Sequence, residues 1–277
     1  MEQLGAIATY LNLQTLLILA LAFIPLERLF GARREQKILR KHLSVDLIYY
    51  VFISQITRFL FLGLFAATIA RIPAIMPARL LTAVQAQPIW LQFAEALLLF
   101  DTGVYLTHRS FHAIPFLWRF HAVHHSSEEL DWMSSFRNHP LDLLVTRLVS
   151  LLPVFALGFS ANAVIALLLF QQGHAALVHA NIESDFGPLN RLIVSPHFHH
   201  WHHADQRSAY DRNFAGHLAF LDWIGGTLHL PGKRYPEKYG VDAAPPLGNP
   251  LRQLLDPFRA SASMRQDTPP AVPAELR

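Results

Sequence analysis

Cysteine is absent from the 277 residues, which excludes disulfides, thiolate metal ligands and iron–sulfur clusters. Charge is scarce as well. Asp, Glu, Lys and Arg make up 16% of the chain, against about 25% in an average soluble domain. With 52% hydrophobic residues and a mean hydropathy of +0.25, the composition is that of a membrane protein. The formal net charge is only +3. The sequence pI of about 9.3 comes from arginines beside apolar segments, which suits an anionic bilayer surface and argues against a nucleic-acid partner. No internal repeat occurs apart from a doubled histidine pattern, and no segment is suited to binding haem or flavin.

What is present begins with long apolar runs. Leu4 to Leu26 carries no charge, a stretch long enough to cross a hydrocarbon core of about 30 Å at about 1.5 Å per helical residue. Glu27 and Arg28 follow it without a small-residue cleavage site, so it reads as a retained helix. A second run spans Ser44 to Ala70 and is broken by Arg58. A third spans Ile89 to Thr107 and carries Glu95 and Asp101. A further block from Leu148 to Val178 is punctuated by Pro153, Gly158 and Asn162 and fits either one long helix or a hairpin of two. The predicted fold is all-α, a multi-pass membrane helical bundle with four to five crossings. Basic residues set its orientation: the link after the first helix holds Arg28, Arg33, Arg34, Lys37, Arg40 and Lys41, whereas the link after the second holds Arg71 and Arg79. The first link is therefore expected on the cytoplasmic side.

Histidine is the residue in excess. Thirteen of the sixteen histidines lie between His108 and His203. His108 and His112 form an HxxxH pair; His121, His124 and His125 form HxxHH; His199, His202 and His203 repeat it; His179 stands alone. Residues three or four apart share a helix face, so each cluster is expected to aim its rings at one point. Neutral imidazole is a common ligand of iron, zinc and copper, and about eight such nitrogens exceed what one ion accepts, so the count favours two ions. If the second and third clusters share a centre, the chain between them must leave and return on one side, which requires the hairpin. Alternating crossings then place every cluster on the cytoplasmic face, as a histidine-rich cap for two metals.

Asp101, Tyr105, His108 and His112 follow at i, i+4, i+7 and i+11, a narrow stripe of one helix. Asp101 is expected to accept the second N–H of a ligand imidazole. Asn213 is expected either to hydrogen-bond a ligand or metal-bound water or to form a turn.

The order of these clusters and their flanks resembles the fatty acid hydroxylase superfamily, which includes sterol desaturases and alkylglycerol monooxygenase. The flanks are "DTGVYLTHRSFH", "WRFHAVHHSSEELDWMSSFR", "LVHANI" and "SPHFHHWHHADQRSAYDRNFAGHLAFLDWIGGTLH", and they cover roughly residues 95 to 240. The resemblance implies O2-dependent hydroxylation or desaturation of a lipid (sterol, fatty acyl or alkyl-lipid) at a non-haem centre of two irons. It implies as ligands His108, His112, His121, His124, His125, His179, His199, His202 and His203, with Asp101, Tyr105 and Asn213 beside them. Electrons must then come from a partner such as a cytochrome b5-like protein, a ferredoxin or a reductase. The implied organisation is N-terminal helices and loops over 1–88, a catalytic domain over 89–240 and a disordered, proline-rich tail over 241–277, in the cytoplasmic membrane or the endoplasmic reticulum.

The remaining histidines are weaker candidates. His174, five residues before His179, fits packing or proton relay, and His197 and His200 point off the face of the third cluster. His139 is expected to cap a turn, and His42, His217 and His229 to be structural. Arg109 and Arg137 fit a lipid head group or the positive-inside bias, and Trp90, Trp118, Trp132 and Trp201 an interfacial belt. Two other readings compete: a histidine-rich membrane metal carrier or sensor, which needs a polar path through the crossings, and, among enzymes, a carotenoid hydroxylase.

Overall fold

Proline marks where the helices begin. Its fixed φ and missing N–H suit the first helical position, and Pro115, Pro140 and Pro196 each open a helix that carries or supports site histidines. The computed structural model describes residues 13–69, 76–241 and 246–259. Over these residues the chain is all-α, with a single isolated bridge between Ala204 and Tyr239. Helix α1 is Leu13–Phe30. Helix α2, Leu43–Ile48, passes through a π-helical turn, Tyr49–Ile53, into α3, Ser54–Ile69. Then come α4 (Ala78–Gln85), α5 (Ile89–Ala113), α6 (Pro115–His125), α7 (Pro140–Ala156), α8 (Ala161–His179), α9 (Pro196–His202), α10 (Phe220–Ile224) and α11 (Pro250–Arg259).

Four stretches are long and apolar enough to cross a membrane: α1, Leu43–Ala66 through α2 and α3, α5, and α8. Their outer faces carry exposed Leu17, Ile18, Leu21, Phe59, Leu60 and Leu98, an arrangement suited to lipid contact and unsuited to water. Inside, Phe61, Phe65, Leu97, Phe100, Leu151, Val154 and Leu167 form the main core where α3, α5, α7 and α8 meet. Gly103 lets α5 and α7 close up, because a Cβ there would lie 2.6 Å from the Cα of Ser150. A second core joins Leu19 and Phe23 of α1 to Tyr50, Trp132, Met133, Phe136 and Ala176.

The block from Leu148 to Val178 is a hairpin. Gly158 takes φ +70° between α7 and α8, and its carbonyl accepts a hydrogen bond from Gln85 at 3.1 Å. The Ser160 side chain caps α8 by accepting the Ala163 N–H, and Gln92 accepts the Ser160 N–H at 2.9 Å. The turn therefore sits beside α4 and the start of α5, at the end of the bundle opposite the histidines. Both ends of the hairpin return to the histidine end, as shared coordination demands.

Two expectations change. The tail predicted to be disordered from 241 contains α11, whose Phe258 packs on Phe120 at 5.1 Å between ring centroids and whose Leu254 carbonyl accepts a hydrogen bond from His139. Alternating apolar and charged residues give α11 one face to bury, which overrides its two prolines. The remaining tail residues, 242–245 and 260–277, lie outside the described residues, as do Leu4 to Asn12 of the first apolar run and Arg71. The tryptophan belt is the second change: Trp90 is exposed, but Trp118, Trp132 and Trp201 are buried.

Candidate metal centre

The nine histidines converge as two neighbouring groups. One comprises His108, His112, His121, His125 and His202; the other comprises His124, His179, His199 and His203. Within each, one nitrogen from every ring lies within 4.8 Å of the others. The HxxHH triads do not act as units, as their spacing had led us to expect. Each is split between the groups, and the i, i+4 pairs stay together: His108 with His112, His121 with His125, and His199 with His203. Side chains four apart stack along one helix face, whereas the residue at i+3 points to the other side of that stack. His124 and His202 are those i+3 residues, and each crosses to the opposite group. The groups abut, with the His203 ring 4.4 Å from His125 and 5.2 Å from His202 between centroids.

Outer hydrogen bonds turn the rings inward. In the first group, Nδ1 of His108 donates to the Phe214 carbonyl at 2.7 Å, that of His202 to the Arg212 carbonyl at 2.8 Å, that of His121 to Asp142 at 2.7 Å, and that of His112 to Asp211 at 3.3 Å. In the second, His124 donates to the Arg137 carbonyl at 3.1 Å and His179 to the Ala175 carbonyl at 2.8 Å. Carbonyls and carboxylates only accept, so these bonds fix the proton on Nδ1 and leave the Nε2 lone pair facing the centre.

Those lone pairs make the test for a metal. Nε2 of His124 and His179 are 3.2 Å apart, those of His179 and His199 3.0 Å, those of His199 and His203 3.1 Å, and those of His121 and His125 3.2 Å. Nε2 of His108, His112 and His202 are buried without a protein partner. Where both rings keep their proton on Nδ1, as His124 and His179 do, the two Nε2 lone pairs repel each other unless a cation lies between them. Cis ligands on one ion at about 2.0–2.1 Å would stand roughly 3 Å apart, so the donor set fits first-row metals. Burial, reinforced by the neighbouring rings, holds His124, His125, His199, His202 and His203 well below the usual imidazole pKa, so each offers a neutral imidazole at physiological pH.

Asp101, Tyr105 and Asn213 lie one layer out. Asp101 is fully buried, and its expected histidine partner is replaced by backbone: its carboxylate accepts the N–H groups of Gly216, His217 and Leu218 at 2.6–3.1 Å. Asp222 holds the N–H groups of Phe214 and Ala215, both at 2.7 Å. Together they clamp the loop whose Phe214 carbonyl orients His108. The Tyr105 hydroxyl meets Thr227 at 3.1 Å and accepts from Arg109 at 3.1 Å. Gly225 makes room for it, since a Cβ there would fall 1.9 Å from the hydroxyl oxygen. Asn213, at φ +59°, donates to the carbonyls of Phe198 and His229 and accepts the His229 N–H, which is the turn-forming alternative.

Residues that sequence reasoning passed over also act here. Asp142 reads as an ordinary acid in the first turn of α7, and its role with His121 depends on two helices 21 residues apart meeting. Arg137, expected at a lipid head group or on a basic surface, is buried and paired with Asp46 at 2.5 Å; Asp46 also meets Arg40, which chelates Asp131 at 2.6 and 2.7 Å. This network holds the carbonyl that orients His124. His174 and His217 bond to each other through Nδ1 atoms 2.9 Å apart, His200 to Tyr239 and the Ala180 carbonyl, and His197 to the Arg234 carbonyl. None joins either group. His139 caps α7 by accepting the Leu141 N–H.

A cavity of about 210 Å³ ends at His179 and His199 of the second group. Its walls come from α3, α5, α7 and α8, and are mainly apolar: Phe61, Phe100, Val104, Leu143, Leu151, Leu168 and Val178. A hydrocarbon chain in this space would lie beside the histidines and away from water.

Comparison with known proteins agrees with this geometry. The fatty acid hydroxylase family model matches residues 93–227, which contain all nine histidines. An ornithine lipid hydroxylase of Rhizobium tropici is 29% identical over 62% of this chain and 51% of its own length. Alkylglycerol monooxygenase of Homo sapiens is 30% identical over 48% of this chain and 30% of its own. A putative Delta(7)-sterol-C5(6)-desaturase of Arabidopsis thaliana is 26% identical over 51% and 50%, respectively. The chain thus spans about half the length, or less, of these relatives. No solved structure gives a significant match.

Proposed function

From the premise that residues 93–227 form a fatty acid hydroxylase domain, we propose that the protein is a membrane-bound oxidoreductase. It would hydroxylate or desaturate a lipid with O2 at a centre of two non-haem irons. The observation that carries this reading is the sorting of nine histidines into two adjacent groups of five and four. All-imidazole donors leave the charge of two ions uncompensated, which favours reduced oxygen species over simple storage of the metal.

The first group, His108, His112, His121, His125 and His202, would hold one iron, and His124, His179, His199 and His203 the other. Bound there, the irons supply activation of O2 for cleavage of a C–H bond. The chain's own residues bind, orient and exclude water. Asp142, Asp211 and the carbonyls of Ala175, Arg137, Arg212 and Phe214 hold the rings in one tautomer. The apolar cavity lined by His179 and His199 would hold a methylene beside them, and proximity of this kind lowers the barrier by positioning alone. Hydroxylation consumes O2, two electrons and two protons and releases water. The two electrons come from a separate protein of the cytochrome b5, ferredoxin or reductase type, which meets the histidine end of the bundle on the cytoplasmic side.

Two measurements test the reading together: metal content of the purified protein, and the lipids of a host with and without the chain. Two irons per chain and one lipid class that gains an oxygen or a double bond are expected, with His124→Ala abolishing the product. Exchangeable zinc or copper with unchanged lipids would overturn it in favour of a metal carrier.

A further inference from the structure

Two cations in the wall of the cavity have no counter-ion among the described residues. Arg58 of α3 and Arg147 of α7 both line it, and they lie close enough for their charges to repel. Arg58 is 7% exposed; its Nε atom is buried without a partner, and Nη1 reaches only the Gln55 side-chain oxygen at 3.2 Å. Arg147 makes no hydrogen bond or ion pair among the described residues.

The acids that could neutralise them are committed elsewhere. Asp101 takes three backbone N–H groups, Asp142 takes His121 and Thr146, Asp46 takes Arg40 and Arg137, and Glu95 takes Gln87. A buried charge without a counter-ion is costly, and inside a membrane span it marks a site of function; Arg58 is such a charge, and Arg147 is half-buried beside it. Arg58 lies fifteen residues beyond Leu43 and eight before Ala66, roughly 22 Å and 12 Å from the two ends along its helix, inside the span Leu43–Ala66. A two-chained phospholipid keeps its phosphate at the interface, so the fitting occupant is a single chain that carries its acid group inward.

We propose that Arg58 and Arg147 form an oxyanion clasp that selects a single-chain lipid acid, holding its carboxylate while its alkyl chain runs along the cavity to His179 and His199. Guanidinium groups bind carboxylates through paired N–H donors, and Gln171 and Gln172 line the same space. Neutral alcohols and sterols would leave both cations unpaired. This specificity deepens the proposed lipid oxidation and rests on it for the fate of the chain, though not for binding itself.

Equilibrium binding to the purified, detergent-solubilised protein tests the clasp without turnover. Palmitate is expected to bind at least tenfold tighter than hexadecanol. Arg147→Gln and Arg58→Gln are expected to weaken palmitate about tenfold and to change hexadecanol less than twofold, while Arg147→Lys keeps most of the preference and guards against misfolding. Lysophosphatidate with the same chain competing as well as palmitate would support the clasp with phosphate as its acid. Inorganic phosphate competing as well as palmitate would overturn the assignment to a lipid, and equal binding of acid and alcohol would overturn the clasp. An intact acid preference in the unsubstituted protein, together with no oxidised lipid in its host, would refute the oxygenase reading and leave the clasp standing.

Discussion

At the residue scale, the centre depends on groups that touch no metal. Asp142 fixes the tautomer of His121 through a 2.7 Å hydrogen bond, and outer-sphere carboxylates of this kind are worth about 10–100-fold in metal affinity. Asp142→Ala is expected to weaken one ion by about that factor and to leave the other in place. Metal titration of the stripped protein, read as two separate binding steps, checks it; equal loss at both sites would mean the variant disturbs the fold. Asp101 shows the limit of reading residues singly. Its position on the stripe with His108 was legible, but its partner is the backbone of 216–218, because the loop from α9 to α10 passes over α5 at that height. Nothing in the local pattern encodes that crossing.

At the element scale, α5, α6, α8 and α9 each bring rings that are neutral when buried. A histidine whose folded pKa lies below its unfolded value of about 6.5 binds its proton more readily when unfolded. The stability it contributes is full above pH 6.5 or so and is lost as pH falls below that value. His217, held at about 3 by burial, and His124, His125, His199, His202 and His203, all held well below the ordinary range, act in this direction together. The metal-free protein is therefore expected to lose thermal stability steeply between pH 6.5 and 4.5, at up to about 1.4 kcal/mol per pH unit for each such ring. Calorimetry across that range checks it, and a flat unfolding midpoint would contradict buried neutral rings. The i, i+4 pairing also belongs to this scale. The sequence shows which histidines can share a helix face, whereas the split of each HxxHH triad depends on how α6 and α9 are rotated against α5 and α8.

At the scale of the whole molecule, both ends of the α7–α8 hairpin and the ends of α1 and α5 bring their polar residues to one side of the bundle. Buried Glu27 at the end of α1 accepts the N–H groups of Trp132 and Asn181, tying the first crossing to the loops around the centre. Basic residues of the 28–41 link lie on this same side, and the positive-inside bias is the basis for proposing that it faces the cytoplasm. The chain has no cysteine, which gives a clean background for labelling. In sealed membranes of known orientation, Lys37→Cys is expected to react with an impermeant maleimide only from the cytoplasmic side, and Ala86→Cys only from the opposite one. The reverse pattern would move the electron donor, and with it the proposed partner, to the other compartment.

The sequence by itself determined the class of the fold and which histidines come together: apolar runs of crossing length, imidazoles at helical spacings, and the family those spacings resemble. These are local or compositional properties, and they survive whatever the chain packs against. Only the tertiary structure decided which ring joins which group, that Asp101 and Asn213 serve the backbone, that part of the tail is helical, and that Arg58 and Arg147 face a common cavity. Each of these depends on contacts between segments far apart in the chain. Hydrophobic pattern fixes which face of a helix is buried, but not which residue of another helix will meet it there.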